Sequence, residues 1–562
     1  MSAYEGRLEL TWTNKQLRLL AHDDGSYEWV APSDYRVAEV RLLHNRGEVG
    51  TVGPDKSRSK DNLLISGDAL NALTSLIELP EFAREYVGRV KLAYLDPPFN
   101  TQQSFLQYDD ALEHSVWLTM MRDRLAQIKT LLSPDGSVWV HCDDSEQAYL
   151  KVMMDELFGR ENFVAAIVWE KAQGPKGDTD IASAHDYILI FVKSRESWRT
   201  VRNLLPRTEV QLTRYANPDD DPRGPWRQGA DSTAKSGGDE NRYPIRLPSG
   251  REVTPAKGRY WAFSKETFER ACAEDRVYFG TKGDSLPVIK TYLSKVKAGV
   301  VPKTWWPATE VGSNQEAKRD HLNKLLPDVT PFETPKPERL LARVIQIATN
   351  PGEIVLDCFL GSGTTAAVAI KTGRRWVGIE RSVDTIERFA VPRLTKVVEG
   401  QDPGGITKTI SWEGGSGFRI LDVAPSMFEQ AGGQVFLSEW ATNGQLAEAT
   451  AAQLHYDYDY NAPFCGRRGR SRLAVIDGLV NEDVTRLLVH ALPENERLVV
   501  CGTAVDPTVR DILRELQPGS TVRKIPQSIL QEYRQETRWG KLDPFDAALH
   551  DSDTPAAEEV RA

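Results

Sequence analysis

The chain has 562 residues, a net charge of −10, and 40% hydrophobic and 27% charged residues, with an isoelectric point near 5.6. That is a globular composition with length for roughly two to four domains, and any surface for a polyanion has to be local. No apolar run approaches the roughly 18 residues of a membrane span, MSAYEGRLEL lacks a signal-peptide core, and five scattered cysteines without C-x-x-C pairing suggest neither disulfides nor a metal site, so a reducing cytoplasm fits best.

Residues 1–60 hold short alternating stretches, LELTWTN and EVRLLH, and then the polar break GPDKSRSKDN, which predict a strand-rich N-terminal element and a linker. Residues 61–194 alternate strand and helix: the strand NLLISGD, the helix ALNALTSLIEL, the strand RVKLAYLD, a helix over 116–132, and the turn and strand DGSVWVHCDD. The helix EQAYLKVMMDELFG, stopped by Gly159, and the strands NFVAAIVWEK and HDYILIFVKS follow. Residues 195–330 break this rhythm with Pro, Gly, Arg, Lys and Trp and read as an inserted domain. Over 331–400 it returns with the helix PERLLARVIQIAT, the strand GEIVLDCF, a glycine loop, the helix TTAAVAIKTG and the strand RRWVGIE. Residues 410–545 suggest a smaller α/β domain and 546–562 a disordered tail; no internal repeat is visible. The fold class is therefore α/β, a mostly parallel, helix-covered sheet interrupted by an insert.

VLDCFLGSGTTAAVA reads as strand, glycine turn, helix, with Gly361 and Gly363 permitting close backbone approach to a ligand. Twenty-three residues after Asp357 the next strand ends in Glu380, near the spacing at which an acid grips a ribose diol. An ordinary strand-to-helix turn is the alternative. Neither GxxxxGK[ST] nor GxGxxG occurs, which favours a nucleoside cofactor without a phosphate chain, S-adenosylmethionine being the obvious one.

The strand KLAYL stops at Asp96-Pro97-Pro98-Phe99. Together with FLGSGTT this resembles the amino-methyltransferases of DNA, which carry D-P-P-[YF] and F-x-G-x-G-T. The catalytic motif precedes the cofactor loop by about 260 residues, the order of the permuted β class, and WLTMMRDRL, GSVWVHCDDSEQAYLKVMMDELFGRENFVAAIVWEK and TPKPERLL are similar to the modification (Mod) subunits of type III restriction systems and their solitary relatives. Phe99 stands for the commoner Tyr and Leu360 for a usual Ala.

The resemblance implies a Rossmann-like methyltransferase sheet, a target-recognition insert, and transfer of a methyl group to N6 of a flipped adenine in double-stranded DNA. Cytosine-N4 methylation and a non-catalytic specificity subunit remain as alternatives. It implies that Asp96 and the Pro97 carbonyl accept the amine's hydrogens, that Pro98 stiffens the loop, and that Phe99 stacks on the base. Cofactor contacts are expected from Asp68, Lys336, Asp357, Phe359, Gly361, Gly363, Thr364 and Glu380, although Asp68 also suits a helix N-cap and Lys336 a solvated site. Asn100, which continues the catalytic loop, Tyr108 in the loop beyond it, and His185 near the base pocket are expected DNA contacts, with a structural role as the alternative for Tyr108 and a plain strand start for His185. In the insert Arg227, Arg251, Lys257, Arg259, Trp261 and Lys303 are the candidate DNA contacts. Three roles stay open for the C-terminal domain: homodimerisation, holding DNA, and docking a helicase–nuclease subunit.

Overall fold

The computed structural model describes residues 9–22, 26–100, 113–174, 180–229 and 231–535. Ten strands form the central sheet: β1 (Leu43–Gly50), β2 (Leu63–Ser66), β3 (Val90–Leu95), β4 (Leu132–Cys142), β5 (Phe163–Glu170), β6 (His185–Val192), β7 (Trp305–Trp306), β8 (Ile354–Asp357), β9 (Arg375–Glu380) and β10 (Gly417–Val423). Their spatial order is β7-β5-β6-β4-β3-β8-β9-β2-β10-β1. β6 runs antiparallel to both neighbours and β1 antiparallel to β10; every other pair is parallel. The central strands are apolar runs rather than alternating ones because both faces are covered: every residue of β3 and β8 is buried. Helices Ala69–Glu78, His114–Leu131 and Gln147–Phe158 pack on one another, as do Glu338–Ala348, Thr364–Lys371 and Val391–Val398. Among the described residues no helix is long and apolar enough to cross a membrane.

The strand carrying Asp96 and the strand carrying the glycine loop lie side by side, with Val355 opposite Leu92 and Leu356 opposite Ala93. β3 continues through its helix to β4 on one side, and β8 continues to β9 on the other. The chain order thus reverses between them, and a crevice opens at their C-terminal ends, the usual ligand position in such a sheet.

Three boundaries differ from the sequence reading. Residues 43–50 are not a separate element but the edge strand β1, and the polar break before β2 is a packed 3-10 turn, Asp55–Lys60, tied down by Arg419 of β10 through Asp61 (2.6 Å) and Asp55 (2.7 Å). β10 is claimed by the central sheet because its backbone pairs with both β2 and β1. The insert is narrower than 195–330: a compact unit spans Leu204–Pro302, while β7 rejoins the central sheet beside β5. C-terminal to β10, a five-stranded sheet over residues 457–524 follows, and Gln453 exchanges two hydrogen bonds with the backbone of Val40 (2.8 and 3.1 Å).

Within Leu204–Pro302, three strands, Val277–Tyr278, Val288–Tyr292 and Trp226–Gln228, form one small sheet. A core of Ile245, Leu247, Trp261 and Phe268 packs with Tyr243 and Phe263. Buried Asp221 joins its parts, accepting from Lys290 (2.6 Å), Tyr292 (2.7 Å) and Arg223 (2.9 Å).

Candidate active site

β3 ends at Leu95 because two successive prolines cannot donate to a ladder, and the backbone leaves the sheet there. The departing loop is held from below: Trp117 Nε1, on helix His114–Leu131, donates to the Pro98 carbonyl at 2.6 Å. Asn100 adopts a left-handed φ of +60° and its amide donates to buried Glu146 at 2.7 Å. Asp96 pairs with Lys336 Nζ through Oδ2 at 2.7 Å, whereas its Oδ1 is buried with no partner among the described residues. No described residue donates to the Pro97 carbonyl either. Two acceptors on adjacent residues therefore have no donor among the described residues. Phe99 has the Lys336 ammonium 5.1 Å from its ring centre and stacks on His141 at 5.5 Å and 25°.

On the neighbouring strand, Asp357 accepts from Phe359 N–H (3.0 Å) and Thr365 Oγ1 (2.5 Å), and burial pushes its pKa up to about 7. Gly361 (φ +52°) and Gly363 (φ +81°) make a turn that a side chain would strain. The loop is fastened to β9, since Glu380 accepts from Gly361 N–H (2.8 Å) and Ser382 N–H (2.9 Å), and burial raises its pKa. Asp68 does cap its helix, accepting from Leu70 N–H at 2.8 Å, and it also pairs with Arg124 at 3.0 Å. Asp68, Asp96, Phe99, Lys336, Asp357, Gly361 and Glu380 open on one cleft of about 1450 Å³. Its chemistry fits a nucleoside with a cationic centre. Glu380 presents two fixed carboxylate oxygens suited to a diol, and the glycine loop has no phosphate-binding lysine. Asp96 and Asp68 form ion pairs with Lys336 and Arg124, while among the described residues neither Asp357 nor Glu380 forms one.

The DNA methylase family N6_N4_Mtase matches residues 90–390, which takes in both strands of this crevice. The chain belongs to that family. It is 34% identical over 428 residues to the "Probable type III restriction-modification enzyme HindVI Mod subunit" of Haemophilus influenzae, covering 65% of this chain and 54% of that protein. It is 30% identical over 344 residues to the type III restriction-modification enzyme StyLTI Mod subunit of Salmonella typhimurium, covering 55% and 50% respectively. The EcoP15I Mod subunit of Escherichia coli matches at 26% over 420 residues, 62% of each chain. The chain thus spans about half the length of the first two relatives.

In this family member the crevice gathers Asp68, Asp96, Pro97, Pro98, Phe99, Lys336, Asp357, Phe359, Gly361, Thr364 and Glu380 along one wall system. Gly363 forms the loop's last residue before the helix, in a left-handed conformation. Lys336 is not solvated: its side chain is 8% exposed and its partner is Asp96. His185 begins β6 and does not line the cleft; its neighbour Asp186 does. Tyr108 lies outside the described residues.

The insert candidates divide. Trp261 is corrected: at 1% exposure, with Nε1 donating to the Tyr243 carbonyl (2.7 Å), it is core, because a unit this small depends on its large aromatics for apolar burial. Arg259 is spent on Thr233, and Arg251 is paired with Asp284 at 2.9 Å. Arg227 is exposed beside Tyr215 and Lys257 is exposed; Lys303 is exposed too, but it belongs to the other unit rather than to Leu204–Pro302.

The sequence reading passed over a buried relay beneath Phe99. Tyr94 Oη and His141 Nδ1 are 2.9 Å apart, His141 Nε2 is 3.4 Å from Asp186, and Asp186 accepts from Lys171 at 2.6 Å. Burial alone would raise Asp186, but His141 and Lys171 hold it at about 2. A single histidine in the strand VWVHCDD was the visible trace of this relay.

Proposed function

We propose that the chain is an S-adenosylmethionine-dependent DNA methyltransferase, acting on the exocyclic N6 of an adenine flipped from the duplex, within a cytoplasmic restriction–modification system. The observation that carries the reading is the pair of donorless acceptors, Asp96 Oδ1 and the Pro97 carbonyl, at the end of a strand that adjoins the glycine loop. The substrate amine is a poor nucleophile because its lone pair is delocalised into the ring. Accepting both N–H groups localises that pair and takes up the positive charge that develops on nitrogen. S-adenosylmethionine supplies an electrophilic methyl on a sulfonium. Glu380 would hold its ribose, and the Gly361–Gly363 turn would admit its backbone approach. Phe99, braced by His141, orients the base, and Trp117 and the two prolines keep the acceptors from reorganising. Asp96 Oδ1 is placed to take the amine's surplus proton, which leaves the transferred methyl on nitrogen and the methyl–sulfur electron pair with the cofactor's sulfur. The base has to leave the stack to reach this crevice. The similarity to Mod subunits supports a restriction subunit as partner and the exposed cations of the insert as DNA contacts.

Sequencing that distinguishes methylated bases, applied to DNA from cells expressing the wild type and Asp96→Ala, tests the reading. The wild type is expected to leave N6-methyladenine in one short motif. Asp96→Ala is expected to lower the transfer rate at least ~10²-fold, the scale of losing one preorganised charge-stabilising group. A mark on cytosine N4 would replace the base assignment, and a mark that survives Asp96→Ala would end the mechanism.

A further inference from the structure

Four strands end along the cleft in the order β3, β8, β9, β2, and the acids at or just beyond their ends follow it: Asp96, Asp357, Glu380, Asp68. If the methyl group is delivered at Asp96 and the ribose is held at Glu380, as proposed above, the purine of the cofactor would extend toward Asp68. Tyr27 lines the cleft at that end, close to Arg124, the partner of Asp68. Tyr27 comes from a two-stranded hairpin, Arg18–Ala21 with Tyr27–Val30, that lies outside residues 90–390. This hairpin and the segment before it are fixed to the wall of the cleft. Arg18 pairs with Asp123 (2.5 Å), Arg122 donates to the Leu17 carbonyl (2.7 Å), and Trp12 Nε1 donates to Thr119 (2.8 Å), all on helix His114–Leu131. Arg381, next to Glu380, donates to the His22 carbonyl. The partners on the body are thus residues of the cleft or of the helix that supplies Met120 and Arg124 to it.

We infer that the N-terminal hairpin completes the cofactor pocket and that Tyr27 is its aromatic wall against the purine. This rests on the methyltransferase reading above. An aromatic face suits this end of the pocket because a purine presents a π-surface there, and stacking holds it without requiring a donor or acceptor from the ring.

Calorimetric titration of the full-length protein with S-adenosylhomocysteine separates the two claims. The wild type is expected to bind, Tyr27→Phe within about twofold of it, and both Tyr27→Ala and Tyr27→Leu roughly tenfold more weakly. Tyr27→Leu keeps apolar bulk, so it reports the ring even if the alanine variant fails to fold. Glu28→Ala, on the same strand as Tyr27, breaks the ion pair to Arg36 of the helix Tyr35–Ala38 (2.8 Å) and is expected to bind like the wild type. In turnover, Tyr27→Leu is expected to raise KM for S-adenosylmethionine with kcat kept at saturation. No binding by the wild type would overturn the methyltransferase reading. Equal binding by wild type and Tyr27→Leu, or an equal loss in Glu28→Ala, would overturn the aromatic wall while leaving that reading intact.

Discussion

Asp357 sits at the end of β8 with burial raising its pKa to about 7, against 3.8 for a free carboxyl. The folded chain therefore retains a proton between those values that the unfolded chain has lost. The resulting stabilisation is complete below pH 3.8 and disappears as pH rises through 7. Between pH 6 and 8 the loss amounts to about 1.4 kcal/mol for this one group. Asp357→Asn keeps an acceptor for Phe359 N–H and carries no charge. In urea unfolding of the cofactor-free protein, the variant is expected to gain on the wild type by about that amount from pH 6 to pH 8. A pH-independent difference between the two would show that the carboxyl is ionised throughout. At this scale the sequence told much about single residues and little about pairs. Asp96 and its prolines were legible because a strand that ends in Asp-Pro-Pro is a local pattern. That Lys336 neutralises one of its oxygens, or that Trp117 pins the loop, is tertiary contact between distant segments that no local pattern encodes. Trp261 misled for the converse reason. It follows a stretch that holds proline, glycine and arginine, Pro255 to Arg259, yet the burial that decides its role comes with Phe268 and Ile245.

At the scale of elements, the glycine loop rests on a buried ionic cage. Lys371 Nζ, on the helix that follows the loop, bonds Glu338 (2.8 and 3.0 Å) and Asp402 (2.7 Å), all three side chains fully buried. Arg393 links Glu338 (3.1 Å) to the Thr364 hydroxyl (2.8 Å), and His321 pairs with Asp402 at 2.8 Å. Burial would raise Asp402, but His321 and Lys371 hold it far down. The His321, Glu338 and Asp402 side chains are close enough to hold a cation, yet the Lys371 ammonium already bonds both carboxylates. The cage joins Glu338, two residues after Lys336, to Thr364, the first residue of the helix after the loop, so the Lys336 segment and the glycine loop share one support. Removing the central charge strands two buried carboxylates, and Lys371→Met is expected to cost about 3–5 kcal/mol in urea unfolding. A loss under 1 kcal/mol would mean that water or the neighbouring arginine compensates. Strand and helix order along the chain was readable from periodicity. The cage was not, because Lys371, Arg393 and Glu338 occupy helix positions where charge normally means solvent.

At the scale of the whole molecule, the family core is interrupted once, by Leu204–Pro302, and its two ends lie beside each other. Leu205 and Val300 exchange backbone hydrogen bonds of 2.9 and 2.8 Å, so the unit leaves and rejoins the chain through a two-stranded neck. It also has its own core, centred on Ile245, Leu247, Trp261 and Phe268. A segment with closed ends and an internal core can be removed without leaving unsatisfied backbone or exposed apolar surface behind. The crevice residues Asp96, Lys336, Asp357 and Glu380 all belong to the other unit. Replacing residues 204–302 by a short Gly-Ser linker is therefore expected to leave S-adenosylhomocysteine affinity within about twofold of the full chain, because no loop inside the cofactor half is lengthened or cut. Site-specific methylation of duplex DNA is expected to fall below detection, because Arg227 and Lys257 go with the excised unit. Calorimetry and a methyl-transfer assay on the same preparation read the two outcomes independently. Loss of both would show that the insert holds the methyltransferase core together, and retention of site-specific methylation would move target recognition out of the insert.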